Sequence, residues 1–526
     1  MRTLGISLCL SCLLWLSACT PSALDVPSPA FEADLSLTTP FEKYDGRDAL
    51  QRTTIDRVVW EQIFAYGPFR WENADDYLLW SAVINSDSIV SLGYQPQGYA
   101  NLDETIHLVD VNSKPWKTTR EALLDFIVTE ENRDRVGAPL TLEDIQAFGE
   151  KELPYLNVKI SSFNTLAQLR RMKVVRYLDP MGYGIEPDVD HTRSNSGCGG
   201  GAASNLTSAD YNTVSPNAKA SWHYDEHGIR TAWNTSTGDN ITVGVIDTGI
   251  SPNQNKLNSN FSSGQSTGRF RDKLGTFVTG WWWWASIDGP DDDCGHGTNM
   301  AGMVSAPRTS SGTTVGVAYK SNLVSIRGTD DVIINESREK DGVSDAYVIL
   351  GNRSDVKVIS MSLGDIFYSG QVADAVKYAY NKGKLIFSAA GTSLTWTSWW
   401  GVIFPATMSQ TVAVTGVQTG LPLKKCDTCH DGSAVDFVVV MQDRNNTSRT
   451  AITLHTSGNT PARSGGSSIA TATMAGMAAL VWGKNTSQSR SQVLQELKNA
   501  ASIYPARDGN FGWGLVNAAA AVAAVQ

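Results

Sequence analysis

For 526 residues the chain has few charges, few cysteines and few histidines. Charged side chains make up 18%, below the usual quarter, whereas apolar residues at 41% can fill a large buried core. Disorder as the dominant state is thereby excluded. Basic residues number 43 against 53 acidic ones, a net charge of −10 with no long basic block. Nucleic-acid binding through phosphate neutralisation is therefore not expected. Beyond the first twenty residues no run of eighteen apolar residues occurs, so no later helix is expected to span a bilayer. The length corresponds to three or four domains of about 150 residues, or fewer where one is a large α/β enzyme domain.

What is present begins at the N-terminus. Met1 to Cys19 (MRTLGISLCLSCLLWLSAC) has one Arg, then a mostly apolar stretch ending in small residues, the pattern of an export signal. Its last four residues, Leu16-Ser17-Ala18-Cys19, resemble the lipobox of bacterial lipoproteins, in which the Cys becomes the lipidated first residue. The resemblance implies lipidation at Cys19 and anchoring in a bacterial cell envelope; a secreted protein is the other outcome. Cys9, Cys12 and Cys19 belong to the signal, leaving Cys198, Cys294, Cys426 and Cys429 for an oxidising compartment. Three pairings of those four are open.

Residues 20–45 are rich in Pro, Ser and Thr and read as a flexible tether. Residues 46–180 are more charged and show three- and four-residue apolar spacing, as in ALLDFIV (122–128) and TLEDIQAF (141–148). This α+β block ends in a strand–helix–strand pattern, LNVKISSFNTLAQLRRMKVVRYLDP. Residues 181–215 are full of breakers (SNSGCGGGAASN) and read as a linker or processing region. From 216 to 526, apolar β-branched runs (ITVGVID, VKVISMSL, KLIFSAA, QTVAVTGV) alternate with helical stretches. That alternation predicts an α/β domain of three layers, with a mainly parallel sheet covered on both faces. Chemistry in such a sheet belongs at the carboxyl ends of its strands.

Three places fit. Asp247 closes the run VID and is followed by Thr248-Gly249; His296 stands in DCGHGT ahead of NMAGMVSA; Ser468 stands in GGSSIA ahead of a second small-residue helix. A serine needs a base to become a nucleophile, and a histidine base needs a carboxylate to hold its tautomer. The chain supplies acid, base and nucleophile in the order Asp, His, Ser. In these motifs it resembles the subtilisin-like serine peptidases, the subtilases, whose catalytic residues run in that order. Further matches fall in sequence: GVAYKSNLVSIR, Ser362-Leu363-Gly364, Ala389-Ala390-Gly391 and FGWGLVNA. The resemblance spans about residues 216–526. It implies an endopeptidase with Asp247, His296 and Ser468 as its triad. It also implies Ser362, Leu363, Gly364, Ala390 and Gly391 as the substrate-binding walls.

The family usually carries Asn after Ala-Ala-Gly as an oxyanion donor; here it is Thr392. Thr392 is expected to serve as that donor on a shorter arm. Ser467 and Ala472 replace the usual Thr and Pro around the nucleophile. The Trp-rich stretches, Trp281 to Trp284 and Trp396, Trp399 and Trp400, could line the cleft or pack in the core. The former would give an apolar or aromatic preference at the residue before the scissile bond. FNTLAQLRRMKVVRYLDP resembles the end of a subtilase propeptide, implying a zymogen cut between Met181 and Pro216; an accessory domain is the rival reading.

Other motifs are expected to carry no function. Cys426-Asp427-Thr428-Cys429-His430 spells a haem-attachment motif without a cytochrome around it, and a zinc site there lacks a fourth ligand. Structural calcium is common in subtilases, yet PRTSSGTTVG after the His motif offers few oxygen ligands; no cofactor or metal is required. A free Cys294 thiol would make the enzyme mercurial-sensitive. His107, His191, His223, His227 and His455 read as surface or capping residues. The expected partners are peptide or protein substrates, the chain's own propeptide and a membrane reached by the lipid; oligomeric state is not legible. The alternative function is a catalytically weak subtilase fold used as a surface binding module.

Overall fold

A computed structural model describes residues 31–66, 69–185, 197–198, 201–203, 205–280, 286–393 and 401–526. The lipobox with Cys19, the start of the tether, His191 and the seven tryptophans named above lie outside those residues.

The N-terminal block holds a three-stranded antiparallel sheet, β1 (Ile89–Tyr94), β2 (Tyr155–Lys159) and β3 (Val175–Pro180), with β1 central. The helical spacing at 122–128 belongs to a helix from Lys114 to Asn132. The spacing at 141–148 gives only one turn, Leu142–Ile145, because Gln146 leaves the helix to bridge Val158 of β2. Part of the expected tether is docked instead of free: Leu37 bridges Met172, and Leu35, Leu37 and Phe41 pack on the block's core. Apolar residues at 35, 37 and 41 outweigh the Pro and Ser around them.

A hairpin of β4 (Tyr211–Val214) and β5 (Ala218–Ser221) leads into the second domain. Its sheet is made of β6 (Thr242–Asp247), β7 (Arg271–Gly275), β10 (Asn322–Arg327), β11 (Val356–Met361), β12 (Leu385–Ala389), β13 (Val412–Gln418) and β14 (Phe437–Gln442). The order is β14-β13-β12-β11-β6-β10-β7, and every pair is parallel. Short hairpins β8–β9 (Val278–Thr279, Ser286–Ile287) and β15–β16 (Ala451–Leu454, Pro461–Ser464) lie outside it. Strands buried on both faces explain the unbroken Val/Ile runs. The chain starts the sheet inside it at β6, lays β7 and then β10 on one side, and then builds β11 to β14 outward on the other. That reversal leaves a crevice at the carboxyl end of β6, where Asp247 stands.

One face of the sheet is covered by the His296–Ser305 and Gly466–Lys484 helices, the other by the Ser337–Asn352 and Gly370–Asn381 helices. The N-terminal block packs on the latter pair, and a single apolar cluster runs across the junction. Phe367 of the sheet domain stacks on Trp71 and meets Phe69 and Tyr183 edge-on. Buried ion pairs cross it as well: Arg176 with Asp374 at 2.7 Å and Lys151 with Asp341 at 2.8 Å. Met181, Tyr183 and Ile185 are also buried there, so the block extends past residue 180 into the expected linker. Among the described residues no helix is long and apolar enough to cross a membrane.

Candidate active site

Asp247 ends β6 with no exposed surface, and its Oδ1 accepts the Thr248 N–H at 2.9 Å. His296 opens its helix, and Nδ1 lies 2.7 Å from the same Asp247 oxygen. The two elements can approach this closely because Gly297 faces Gly249: a Cβ on Gly297 would sit 2.4 Å from the Gly249 oxygen. Burial works against a charged His296, yet the carboxylates of Asp247, Asp292 and Asp331 together outweigh it and raise the imidazole pKa above its ordinary value. The His296 side chain is 10% exposed toward a cleft of about 390 Å³.

Asp292 organises this corner. Its Oδ1 accepts the N–H groups of Cys294 and Gly295 and the Thr248 hydroxyl, and its Oδ2 accepts the N–H and hydroxyl of Thr298. It thereby satisfies backbone donors at the helix start, the task of a capping carboxylate. Burial raises its pKa despite those five bonds. The run Asp291-Asp292-Asp293 ahead of a helix start was the signal for it in the sequence.

Ser468 lies in the first turn of the Gly466–Lys484 helix, half-buried on the same cleft as His296. Its hydroxyl donates to Ser362 O at 3.4 Å, and the Ser362 hydroxyl returns a bond to Ser468 O at 3.0 Å. No hydrogen bond joins Ser468 to His296 among the described residues. A rotation of the Ser468 side chain is needed before it can pass a proton to the imidazole, a looseness common in unliganded sites.

The chain belongs to the subtilase family. The subtilase family model matches residues 238–514. The chain is similar to the minor extracellular protease Epr of Bacillus subtilis, 26% identical over 347 residues that cover 63% of this chain and 46% of Epr. It is similar to subtilisin Savinase of Lederbergia lenta, 30% identical over 285 residues, covering 54% of this chain and 91% of that one. A solved protease from Pseudoalteromonas arctica PAMC 21717 matches 58% of this chain and 97% of its own, at 24% identity and a TM-score of 0.44.

Ser362, Leu363, Gly364, Gly391 and Thr392 line the cleft. Ala390 does not: it is wholly buried in a separate apolar cluster, and Ala389 takes the place on the cleft wall. Alternation along an extended segment puts neighbouring side chains on opposite faces, which is why one of the two alanines had to turn away. Gly364 differs from a free substrate-binding edge. Its N–H donates to Val332 O at 3.3 Å and its C=O accepts Ile334 N–H at 3.1 Å. The Ser362–Gly364 segment expected to pair with a peptide is thus paired with Val332–Ile334 instead.

Thr392 sits beside the nucleophile's helix. Its Oγ1 accepts Ser467 N–H at 3.0 Å and lies 3.0 Å from Ser467 Oγ. Ser393 N–H donates to Thr428 O at 2.6 Å, and His430 N–H donates to Gly391 O at 3.0 Å. The CDTCH stretch therefore forms a loop supporting the segment just beyond β12 that carries Thr392, which bridges Cys429. Cys426 and Cys429 close it with a disulfide, and Cys198 pairs with Cys294. These pairings leave no free thiol at Cys294 and no cysteine pair for haem. Two histidines expected at the surface are buried: His227 Nδ1 donates to Val516 O at 2.8 Å while Nε2 accepts Val440 N–H at 2.9 Å. Burial lowers its pKa to about 4, so it is a neutral pin between two backbone groups. His223 bonds Ser221 and Thr473 in the same interior. Among the described residues no group of three His, Cys, Asp or Glu side chains gathers as metal ligands.

Proposed function

We propose that the chain is an exported serine endopeptidase, made as a zymogen, that hydrolyses peptide bonds through an acyl-enzyme. The observation that carries this reading is the 2.7 Å contact between buried Asp247 and His296 on the cleft that also holds Ser468. Ser468 Oγ attacks the scissile carbonyl and His296 takes its proton through Nε2. Asp247 holds Nδ1–H and stabilises the imidazolium. His296 then returns the proton to the leaving amine, and water repeats the sequence to free the acyl group. The negative charge on the tetrahedral oxygen is met by Ser468 N–H, at the positive end of its helix, and by the Thr392 hydroxyl. Protein groups alone suffice for these steps.

The N-terminal block supports the zymogen reading. Its last residues are packed against the peptidase domain, with Met181 O accepting from buried Lys340 at 2.7 Å. The paired segments at Val332–Ile334 and Gly364 fit a form in which the peptide groove is shut. Release from the cell follows from the signal, and anchoring from Cys19; a mass spectrum of the mature N-terminus tests both.

Intact-mass analysis before and after a fluorophosphonate probe, with Ser468→Ala alongside, tests the enzyme reading. A single adduct on a chain lacking its first 180 or so residues, absent in the variant, is the expected result. A folded chain that takes no adduct even after limited proteolysis between Met181 and Pro216 would instead be the surface binding module.

A further inference from the structure

A cavity of about 590 Å³ opens at the amino ends of β11 and β12, the end of the sheet opposite the crevice at Asp247. It is a strand's length, about 17–20 Å, from the catalytic groups. Its walls carry four cations, Lys357, Lys382, Lys384 and Arg490. Among the described residues none of the four forms an ion pair. Asp355, the acid nearest to them in sequence, gives both oxygens to Arg353. Lys384 is only 4% exposed. Its ammonium donates to Arg353 O at 2.5 Å and Val356 O at 2.8 Å, which leaves one of its three N–H groups without an acceptor. Burial, then Lys357 and Lys382, lower its pKa to about 8 against the opposing effect of Asp355. Arg490 stacks on Tyr380, 3.4 Å from the ring centroid, and donates to the Tyr380 and Lys384 carbonyls. The side chains of Lys357 and Lys382 make no hydrogen bond among the described residues.

Part of this charge has an ordinary use. The Ser337–Asn352 and Gly370–Asn381 helices both end at the cavity, and lysines suit a helix carboxyl end. Those two ends supply about one negative charge between them, roughly half from each. A third helix, Arg490–Asn499, brings its amino end to the same cavity. The Ser489 hydroxyl accepts the Gln492 N–H, whereas the N–H groups of Arg490 and Ser491 have no acceptor among the described residues. About three positive charges are thus left without an anion, in a chain whose net charge is −10. Buried charges are normally paired, and Lys384 is not.

We propose that this cavity binds a phosphate-bearing ligand with two or more negative charges. A carboxylate brings one charge, whereas a phosphate monoester brings about two, with three acceptor oxygens. Lysines meet phosphate as point charges, and a helix amino end adds N–H donors. The volume is in the range of small-molecule sites, so there is room for the group that carries the phosphate. That carrier is either a soluble molecule or a lipid headgroup; the phosphate chemistry is common to both. The site lies away from the cleft and does not depend on the peptidase reading.

The test has two arms, both on the full chain at constant ionic strength in chloride. In one, calorimetry follows titration with inorganic phosphate and with pyrophosphate. In the other, the chain is sedimented with phosphatidylcholine vesicles with and without cardiolipin, a lipid carrying two phosphates, and the difference between them is read. Saturable binding is expected in at least one arm. Lys357→Ala/Lys382→Ala should weaken it at least about tenfold, as loss of charge-assisted contacts does. Because neither lysine pairs with anything in the fold, the thermal midpoint of that variant in chloride should equal that of the unaltered chain. Lys357→Gln alone, expected to weaken binding to a smaller extent, serves if the double variant does not fold. Binding of pyrophosphate or phosphate assigns a soluble ligand, and binding to the cardiolipin vesicles alone assigns a headgroup. No binding in either arm overturns the proposal, as does binding that the lysine variants leave unchanged.

Discussion

Thr392 Oγ1 and Ser467 Oγ stand 3.0 Å apart, each also receiving a backbone N–H: Ser467 N–H on Thr392 at 3.0 Å and Gly391 N–H on Ser467 at 3.1 Å. The two hydroxyls hold two protons, and the bond between them uses one. Ser467 is 1% exposed, whereas Thr392 is half-buried on the cleft. Stranding a hydroxyl proton in the interior is unfavourable. The arrangement that avoids it has Ser467 donating to Thr392 and Thr392 donating into the cleft. A threonine can thus stand where the family has asparagine because Ser467 holds its oxygen and turns its proton outward.

Removing that proton should slow turnover selectively. Thr392→Val is expected to lower kcat by roughly 10- to 100-fold with KM little changed, somewhat less than loss of the asparagine donor in this family's archetype. Ser467→Ala should lower kcat to a smaller extent. Steady-state kinetics on a peptide ester and amide check both, and an unchanged kcat in Thr392→Val removes the hydroxyl from the oxyanion site.

The His296 base works only when neutral. Its pKa is raised by Asp247 against the opposing effect of burial, so activity should climb with pH through a midpoint above the ordinary imidazole value. Asp247→Asn removes the raising charge; its residual activity should be at least about 10³-fold lower and its midpoint should move down. A pH profile of kcat/KM in the two proteins shows whether the limb belongs to His296.

A second pH dependence concerns the junction of the two domains. Asp179, at the end of β3, is buried and accepts Gly370 N–H from the peptidase domain at 2.8 Å. Burial raises its pKa from 3.8 to about 6. A carboxyl whose docked pKa is the higher one favours docking fully below pH 3.8, and that contribution is lost as pH rises through 6. It amounts to about 3 kcal/mol at most. The cut N-terminal block should therefore dissociate faster as pH rises from about 4 to about 6. Asp179→Asn should flatten the trend, as read by gel filtration or inhibition kinetics.

Breaking an ion pair at the same junction should have a larger effect. Arg176→Ala leaves Asp374, 1% exposed, without its cation and with only the Tyr177 hydroxyl at 3.1 Å; the loss is expected to be roughly 3–5 kcal/mol of docking or stability. Arg176→Ala/Asp374→Ala should recover much of it, a recovery that thermal unfolding of the full chain can measure.

The parallel sheet, its strands and the placing of Asp247, His296 and Ser468 at element ends were legible because each rests on local pattern: apolar runs for buried strands, glycines where elements meet, small residues at a helix start. Less legible was whatever depends on contacts distant in the chain. The haem-like CDTCH stretch is a disulfide loop whose place under Gly391 and Thr392 rests on contacts distant in the chain. His223 and His227 lack any apolar periodicity that could foretell their burial. The GCGGGAA run reads as a linker because small residues signal flexibility; nothing local foretells that Cys198 pairs with Cys294 or that Ala203 N–H donates to Pro461 O. Ala390 was assigned to the cleft from a motif, and one step of strand alternation moved it to the interior.

The apolar cluster that passes unbroken from Trp71 and Tyr183 to Phe367 has a consequence for the fate of the two halves after any cut between them. Parting them would bare aromatic surface on both, so the severed block is not a fragment readily lost by diffusion. The nicked protein should travel as a noncovalent pair until something digests the block or competes for its aromatic seat.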